Sequence, residues 1–173
     1  MTYKRLPVGG AAVPPVKYRQ ADLADIPAAA RLRDGRDEEG GASADRMARY
    51  LACRHHPQQA LMPRTIYVAL EDDSIVGYIA GHLTRRYECD GELQWVYVAP
   101  ECRRSGTASE LLRLLAAWFV RQGASRVCVN VDPNNMPARR FYARHGAAPL
   151  NEHWLVWNDI NDLGSDRLIS RIA

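Results

Sequence analysis

A strand-like run at 93–98 leads into Arg103-Arg104-Ser105-Gly106-Thr107-Ala108 and then into a segment whose apolar residues fall on one helical face. Ala108, Leu111, Leu112, Leu115, Ala116, Phe119 and Val120 recur at three- and four-residue spacing, and Gly123 supplies a stop, so one face of this helix must pack on a sheet. A strand that stops at Ala99-Pro100 and a helix that starts near Ser105 leave loop N–H groups with no intrahelical partner, pointing outward together. Phosphate oxygens are natural acceptors for such groups. Gly106 admits close approach of a ligand, Ala108 is nearly as small, and Arg103 and Arg104 add charge at the positive end of the helix dipole. With one glycine and no P-loop lysine, an ordinary strand-to-helix turn would carry the same residues.

The rest of the chain places this unit in a layered α/β fold. Residues 16–20 read as a first strand, Asp22 as the cap of an Ala/Leu-rich helix over 23–33, and 44–55 as a second helix ending before Pro57. Residues 64–70 and 75–85 are strand-like around the turn Glu71-Asp72-Asp73-Ser74, and a second hairpin through Cys89-Asp90-Gly91 leads to a strand at 92–98. After the amphipathic helix, 126–131 alternates valines with Cys128 and Asn130, Pro137 pre-sets a short helix ending at Gly146, and 153–157 forms a last strand. The order predicts one mixed sheet flanked by helices.

At 173 residues the chain suits one domain with one core, here 16–173, preceded by a flexible lead over 1–15 rich in proline and glycine. No apolar run reaches the length of a membrane span, and the opening lacks the apolar block of a signal peptide. Cys53, Cys89, Cys102 and Cys128 are irregularly spaced, which fits free thiols in a reducing cytoplasm. A net charge of +3 is too mild for a nucleic-acid partner, although its sign suits a polyanionic cofactor. His55-His56 lacks companions at a metal-ligand spacing, so no metal is expected. Cys102, flanked by arginines, reads as a loop thiol, and Trp95, Trp118, Trp154 and Trp157 as core or rim packing, with Trp95 a candidate for lining a cleft.

A second motif follows the strand at 126–131: Asn134-Asn135-Met136-Pro137-Ala138-Arg139-Arg140-Phe141-Tyr142-Ala143-Arg144-His145-Gly146. Asn135, Ala138 and Tyr142 stand at i, i+3 and i+7 and share one helix face. A phenol with a pKa near 10 is protonated at neutral pH and can donate to a leaving thiolate. An N-x-x-A-x-x-F-Y-x-x-x-G pattern placed after R-x-x-G-x-A and its helix resembles the GCN5-related N-acetyltransferase (GNAT) superfamily in motif content and order. The likeness is most specific over 92–146.

That resemblance implies a single α/β domain whose strands at 92–98 and 126–131 splay to hold acetyl-CoA. It implies that N–H groups of Arg103, Arg104, Ser105, Gly106, Thr107 and Ala108 receive the pyrophosphate, with the Ser109 hydroxyl adding a contact. Backbone groups at Tyr97 and Val98 would pair with the pantetheine arm, Asn135 and Ala138 would flank it, and Tyr142 would be the general acid. Direct transfer to a primary amine of a small molecule follows, without an acyl-enzyme. Glu92 occupies the position of the base glutamate in members resembling histone acetyltransferases, while Gln94, which is no base, could hold a water that acts as one; Glu88 and Asp132 are further carboxylates nearby. Gln94 and Trp95 would border the acceptor. Asp34, Asp37, Glu38 and Glu39 could attract a cationic acceptor or form a solvated loop. A protein, peptide or aminoacyl-tRNA acceptor, or a non-catalytic acyl-CoA-binding domain, remain alternatives, and a homodimer through the last strand is a family-level expectation.

Overall fold

The computed structural model describes residues 15–34 and 40–163, so the lead expected over 1–15, apart from Pro15, and the loop acids Asp37, Glu38 and Glu39 lie outside the described residues. The elements run β1 (Lys17–Gln20), α1 (Ile26–Asp34), α2 (Gly40–Leu51), β2 (Ala60–Glu71), β3 (Ser74–Thr84), β4 (Gly91–Val98), α3 (Thr107–Arg121), β5 (Val127–Asn130), α4 (Met136–Arg144), β6 (Ala148–Pro149) and β7 (Trp154–Trp157). The strands form one seven-stranded sheet in the order β1-β2-β3-β4-β5-β7-β6. Every pairing is antiparallel except β4 with β5, so the expected mixed sheet forms.

Helices cover both faces. Ile66 and Val68 of β2 pack with Ile26, Ala30, Met47 and Tyr50 under α1 and α2, while the alternating Tyr67 and Ala69 pack with Leu111, Leu115 and Phe119 of α3. This two-sided cover explains why β2 reads as a continuous apolar run. In α3, Leu111, Leu112, Leu115, Ala116 and Phe119 are buried as their spacing requires. Val120, placed on the same stripe by the sequence, is 41% exposed, and Trp118 is buried instead. The ring of Phe119 lies over Gly91 and Gly81, where Cβ atoms would collide with it. Asp22 does cap, accepting from Ala24 N–H at 2.8 Å while Asp25 accepts from Asp22 N–H at 2.9 Å, but the turn they close is a 3-10 turn that precedes α1. The second helix spans Gly40–Leu51, ending earlier than expected, and β6 was too short to leave a sequence pattern.

Two departures from regular pairing build the site. The β3–β4 register passes from Ala80 opposite Trp95 to Gly81 opposite Leu93, leaving Gln94 as the extra residue of a bulge. The parallel β4–β5 pairing covers only Gly91, Glu92 and Leu93 against Val127, Cys128 and Val129, after which the two strands part.

Candidate active site

A cleft of about 350 Å³ opens where β4 and β5 part, and its walls carry Gln94, Trp95, Val96 and Tyr97 of β4, Asn130 at the end of β5 with Val131 and Asp132 beyond it, Asn135 just before α4, and Ala138 and Tyr142 within α4. Leu93 of β4, Val129 of β5, Tyr78 of β3 and Arg33 of α1 also line it. Asn135, Ala138 and Tyr142, singled out by their spacing, thus border the same cleft. A larger open groove of about 910 Å³ lies between α1, the β2–β3 turn and the turn after β4, and none of the predicted site residues lines it.

The free edge of β4 follows from ladder geometry. Ala99 N–H donates to the Val76 carbonyl at 2.8 Å, so the opposed pairs Ala99/Val76 and Tyr97/Tyr78 exchange hydrogen bonds and the intervening residues point their polar groups away from β3. Val96 and Val98 therefore turn N–H and C=O away from β3, toward the side on which β5 lies, whereas those of Tyr97 face β3. This corrects the expectation for Tyr97, whose contribution is its ring, stacked on Tyr78 with centroids 6.2 Å apart. The Val98 carbonyl accepts from Arg103 Nε at 3.0 Å, and the Arg103 guanidinium lies 5.5 Å from the Tyr97 ring centroid. Arg103 is thereby turned back on the strand, not out over the loop.

The loop itself is shaped by left-handed residues, Arg104 at φ 63° and Gly106 at φ 90°. A 3-10 turn over Pro100–Cys102 separates it from β4, and α3 begins at Thr107 instead of near Ser105. Gly106 is the N-cap and offers no side-chain cap, so the first N–H groups of α3, at Thr107, Ala108 and Ser109, keep their donors for a ligand. An added Cβ at Gly106 would meet nothing within 4 Å, which leaves this side open to a bulky group. The Ser105 hydroxyl is already engaged, donating to the Cys102 carbonyl at 2.6 Å and pairing with Thr107 Oγ1 at 2.8 Å. A pyrophosphate thus fits the backbone here, while those two hydroxyls shape the loop.

Asn135 caps α4, its Oδ1 accepting from Ala138 N–H at 3.2 Å, a local role that its place in the motif had not suggested. Tyr142 is 4% exposed, its ring edge-on to Trp157 and Phe141, and burial pushes its phenol well above the usual tyrosine range. It is therefore protonated at every pH near neutrality.

Glu92 departs most from expectation. It is 5% exposed, accepts from Arg86 Nε at 3.1 Å and lies 3.6 Å from His82 Nε2. It does not border the cleft. Gln94 does, and its Oε1 is buried without a hydrogen-bond partner. Asp132 also borders the cleft but caps Asn134 N–H at 2.8 Å, and Glu88 lies on the exposed turn before β4. Cys102 is held up in pKa by burial and by Glu71, whose Oε2 it meets at 3.7 Å, so the neighbouring arginines do not activate it. His55 and His56 lie beyond the end of α2, where Arg64 pairs with the His55 carbonyl and His56 Nδ1. The residues missed from sequence are Arg33, Tyr78, Val96 and Asn130. Only Asn130, polar beside a valine strand, carried a local signal.

Residues 32–147 match the model of the acetyltransferase (GNAT) family. The chain is 33% identical over 131 residues, 76% of its length, to an uncharacterized N-acetyltransferase of Mycobacterium tuberculosis, of which it covers 78%. By structure it is similar to an acetyltransferase of the GNAT family from Desulfovibrio desulfuricans, with a TM-score of 0.68 at 20% identity, over 84% of this chain and 99% of that one. It is also similar to the PaiA N-acetyltransferase of Thermoplasma acidophilum, whose crystal structure contains coenzyme A, with a TM-score of 0.61 at 13% identity over 82% and 97%. The family model spans two thirds of this chain, and the chain belongs to the GNAT acetyltransferase family.

Proposed function

We propose that this protein moves an acetyl group from acetyl-CoA directly to a primary amine of a small molecule. The observation that carries the reading is the convergence, in one cleft of about 350 Å³, of the Tyr142 phenol, the bulged Gln94 and the open edge of β4. That volume lies in the range of small-molecule sites. Acetyl-CoA would supply the thioester, with its pyrophosphate on the backbone of Gly106 to Ser109 and its pantetheine along Val96 and Val98 as an added strand.

The protein's own groups then divide the work. A cleft-facing N–H of β4 polarises the thioester carbonyl, and Ala138 leaves room beside the arm. Gln94 Oε1, buried and unpartnered, accepts from the amine or from a water that carries its proton to solvent. Tyr142, kept protonated by burial, gives its proton to the departing thiolate. Glu92, engaged by Arg86 and His82 behind the bulge, has a structural part in this scheme.

The test is CoA release over a panel of primary amines with Tyr142→Phe as control. The expected outcome is turnover of at least one amine, with kcat lowered about 10²-fold or more in the variant. Tight acetyl-CoA binding with no turnover on any amine would leave a binding domain instead, and unchanged turnover in the variant would remove Tyr142 as the acid.

A further inference from the structure

Arg33 is the one cation among the described residues that borders the cleft, and it stands at the end of α1. Ion pairs among the described residues involve Lys17, Arg19, Arg49, His82, Arg86 and Arg113, but not Arg33. A cation in the last turn of a helix suits the dipole wherever it points, and Arg31, two residues earlier, meets that need without touching the cleft. Arg33, by contrast, is exposed at the cleft rim, where its guanidinium can exchange water for an anionic group of a bound ligand.

Its position decides which substrate that anion belongs to. α1 packs on the sheet face that carries Tyr78, Trp95 and Tyr97, whereas the free edge of Val96 and Val98 and the start of α3 lie toward β5 and α4. The cofactor's anionic groups belong at the start of α3. Arg33 therefore stands on the acceptor side.

A second observation lies in the same cleft. Gln94 Oε1 is buried with no partner, which is a costly state unless a ligand brings a donor. One molecule satisfies both groups if it carries an amine at one end, an anion at the other, and apolar atoms between, against Trp95 and Tyr97. We infer that the acceptor is an amino acid or ω-amino acid, its nitrogen at Gln94 and its carboxylate on Arg33. The planar fork of Arg33 matches a carboxylate in two parallel hydrogen bonds, which an ammonium cannot do. This specificity rests on the acetyl-transfer reading of the same cleft, and it opposes the cation-attracting role that the loop acids suggested.

The experiment compares initial rates on matched pairs, each amino acid or ω-amino acid against its carboxamide, for the wild type, Arg33→Gln and Arg33→Lys. Wild type is expected to favour the carboxylates about tenfold or more, chiefly in KM. Arg33→Gln should erase the preference by raising their KM while leaving the carboxamides and the KM for acetyl-CoA unchanged, and Arg33→Lys should recover part of it. Equal rates on both members of each pair, or a variant that slows both equally, overturns the inference. A rise in the KM for acetyl-CoA does so too, by assigning Arg33 to the cofactor. Calorimetric titration of the same amino acids into CoA-saturated protein separates the two readings. Arg33-dependent binding without turnover would overturn the transfer and keep the subsite, whereas turnover of amines without dependence on Arg33 would do the reverse.

Discussion

The hydroxyl of Tyr50 lies 3.0 Å from Nδ1 of His82, and both side chains are fully buried between α2 and β3. Burial pushes the Tyr50 phenol far above its ordinary range, so it stays protonated and bonded to Nδ1, and the other ring nitrogen is Nε2. That nitrogen faces Glu92 Oε2 at 3.6 Å, and Glu92 in turn accepts from Arg86, whose guanidinium lies 4.6 Å from the Trp154 ring centroid. The Tyr50 ring also packs on Trp95, with centroids 4.9 Å apart. A line of polar groups from α2 to the β3–β4 connection thus backs the cleft wall.

Tyr50→Phe should cost about 1–3 kcal/mol of stability, because it leaves a buried imidazole nitrogen with no partner. Urea unfolding measures this. The ring that supports Trp95 is retained, so kcat and KM should stay near wild type; a loss of kcat in fully folded variant would place Tyr50 in the chemistry instead.

Glu92 and Gln94 are separable by substitution. Glu92→Gln keeps the shape but removes the charge that Arg86 and His82 face, and it should lower stability by about 2 kcal/mol with kcat largely retained. Gln94→Ala removes the only β4 side-chain oxygen left buried and unpartnered, and should lower kcat/KM for the amine without a comparable loss of stability. Steady-state kinetics beside thermal unfolding distinguishes them. The reverse pattern would restore Glu92 as the base.

Much of this was legible in the sequence, and the bulge shows where legibility stopped. Ala138 and Tyr142 border one cleft because a helix fixes which residues share a face, and Asn135 borders it from the cap position just before α4. A strand does the same only while it stays regular, and the extra residue at Gln94 shifts every later side chain of β4. Trp95 and Tyr97 consequently face α1 and α2, and Leu93, Val96 and Val98 face α3, a division that no alternation in 92–98 announces. Glu92 was legible as a position but not as an environment, since Arg86 and His82 reach it from a turn and from a neighbouring strand. Arg33 is remote in sequence from both motifs and enters the cleft only because α1 packs across the sheet.

The pH dependence of kcat/KM should have one limb below pH 10. Tyr142 must be protonated to act, and burial raises its pKa above the ordinary value of about 10, so its active form persists throughout the neutral and mildly alkaline range. With Gln94 as the group at the amine, the rising limb belongs to the acceptor, and its midpoint should move with the amine's own pKa across a series. Rates from pH 6 to 10 on amines of different basicity test both points. A fall between about pH 8 and 9 would contradict the protonated Tyr142, and a midpoint that ignores the amine would require a titrating base on the protein.

Two glycines separate binding from folding. At Gly106 the backbone is left-handed, φ 90°, with open space where a Cβ would go, so Gly106→Ala imposes conformational strain of about 1–2 kcal/mol and no collision. Relief of that strain would rotate the N–H groups that begin α3 and place a methyl group where the pyrophosphate is to approach, so affinity for CoA should fall about tenfold or more while the fold persists. Gly91→Ala instead drives a methyl group into the ring of Phe119, far from the loop, and should cost about 1–3 kcal/mol of stability with CoA affinity per folded molecule unchanged. Calorimetric titration with CoA, set beside urea unfolding of both variants, reads the two effects independently. If Gly106→Ala binds CoA as the wild type does, the backbone at the start of α3 is not the anion site, because the substitution alters that backbone and leaves Arg103 and Arg104 in place.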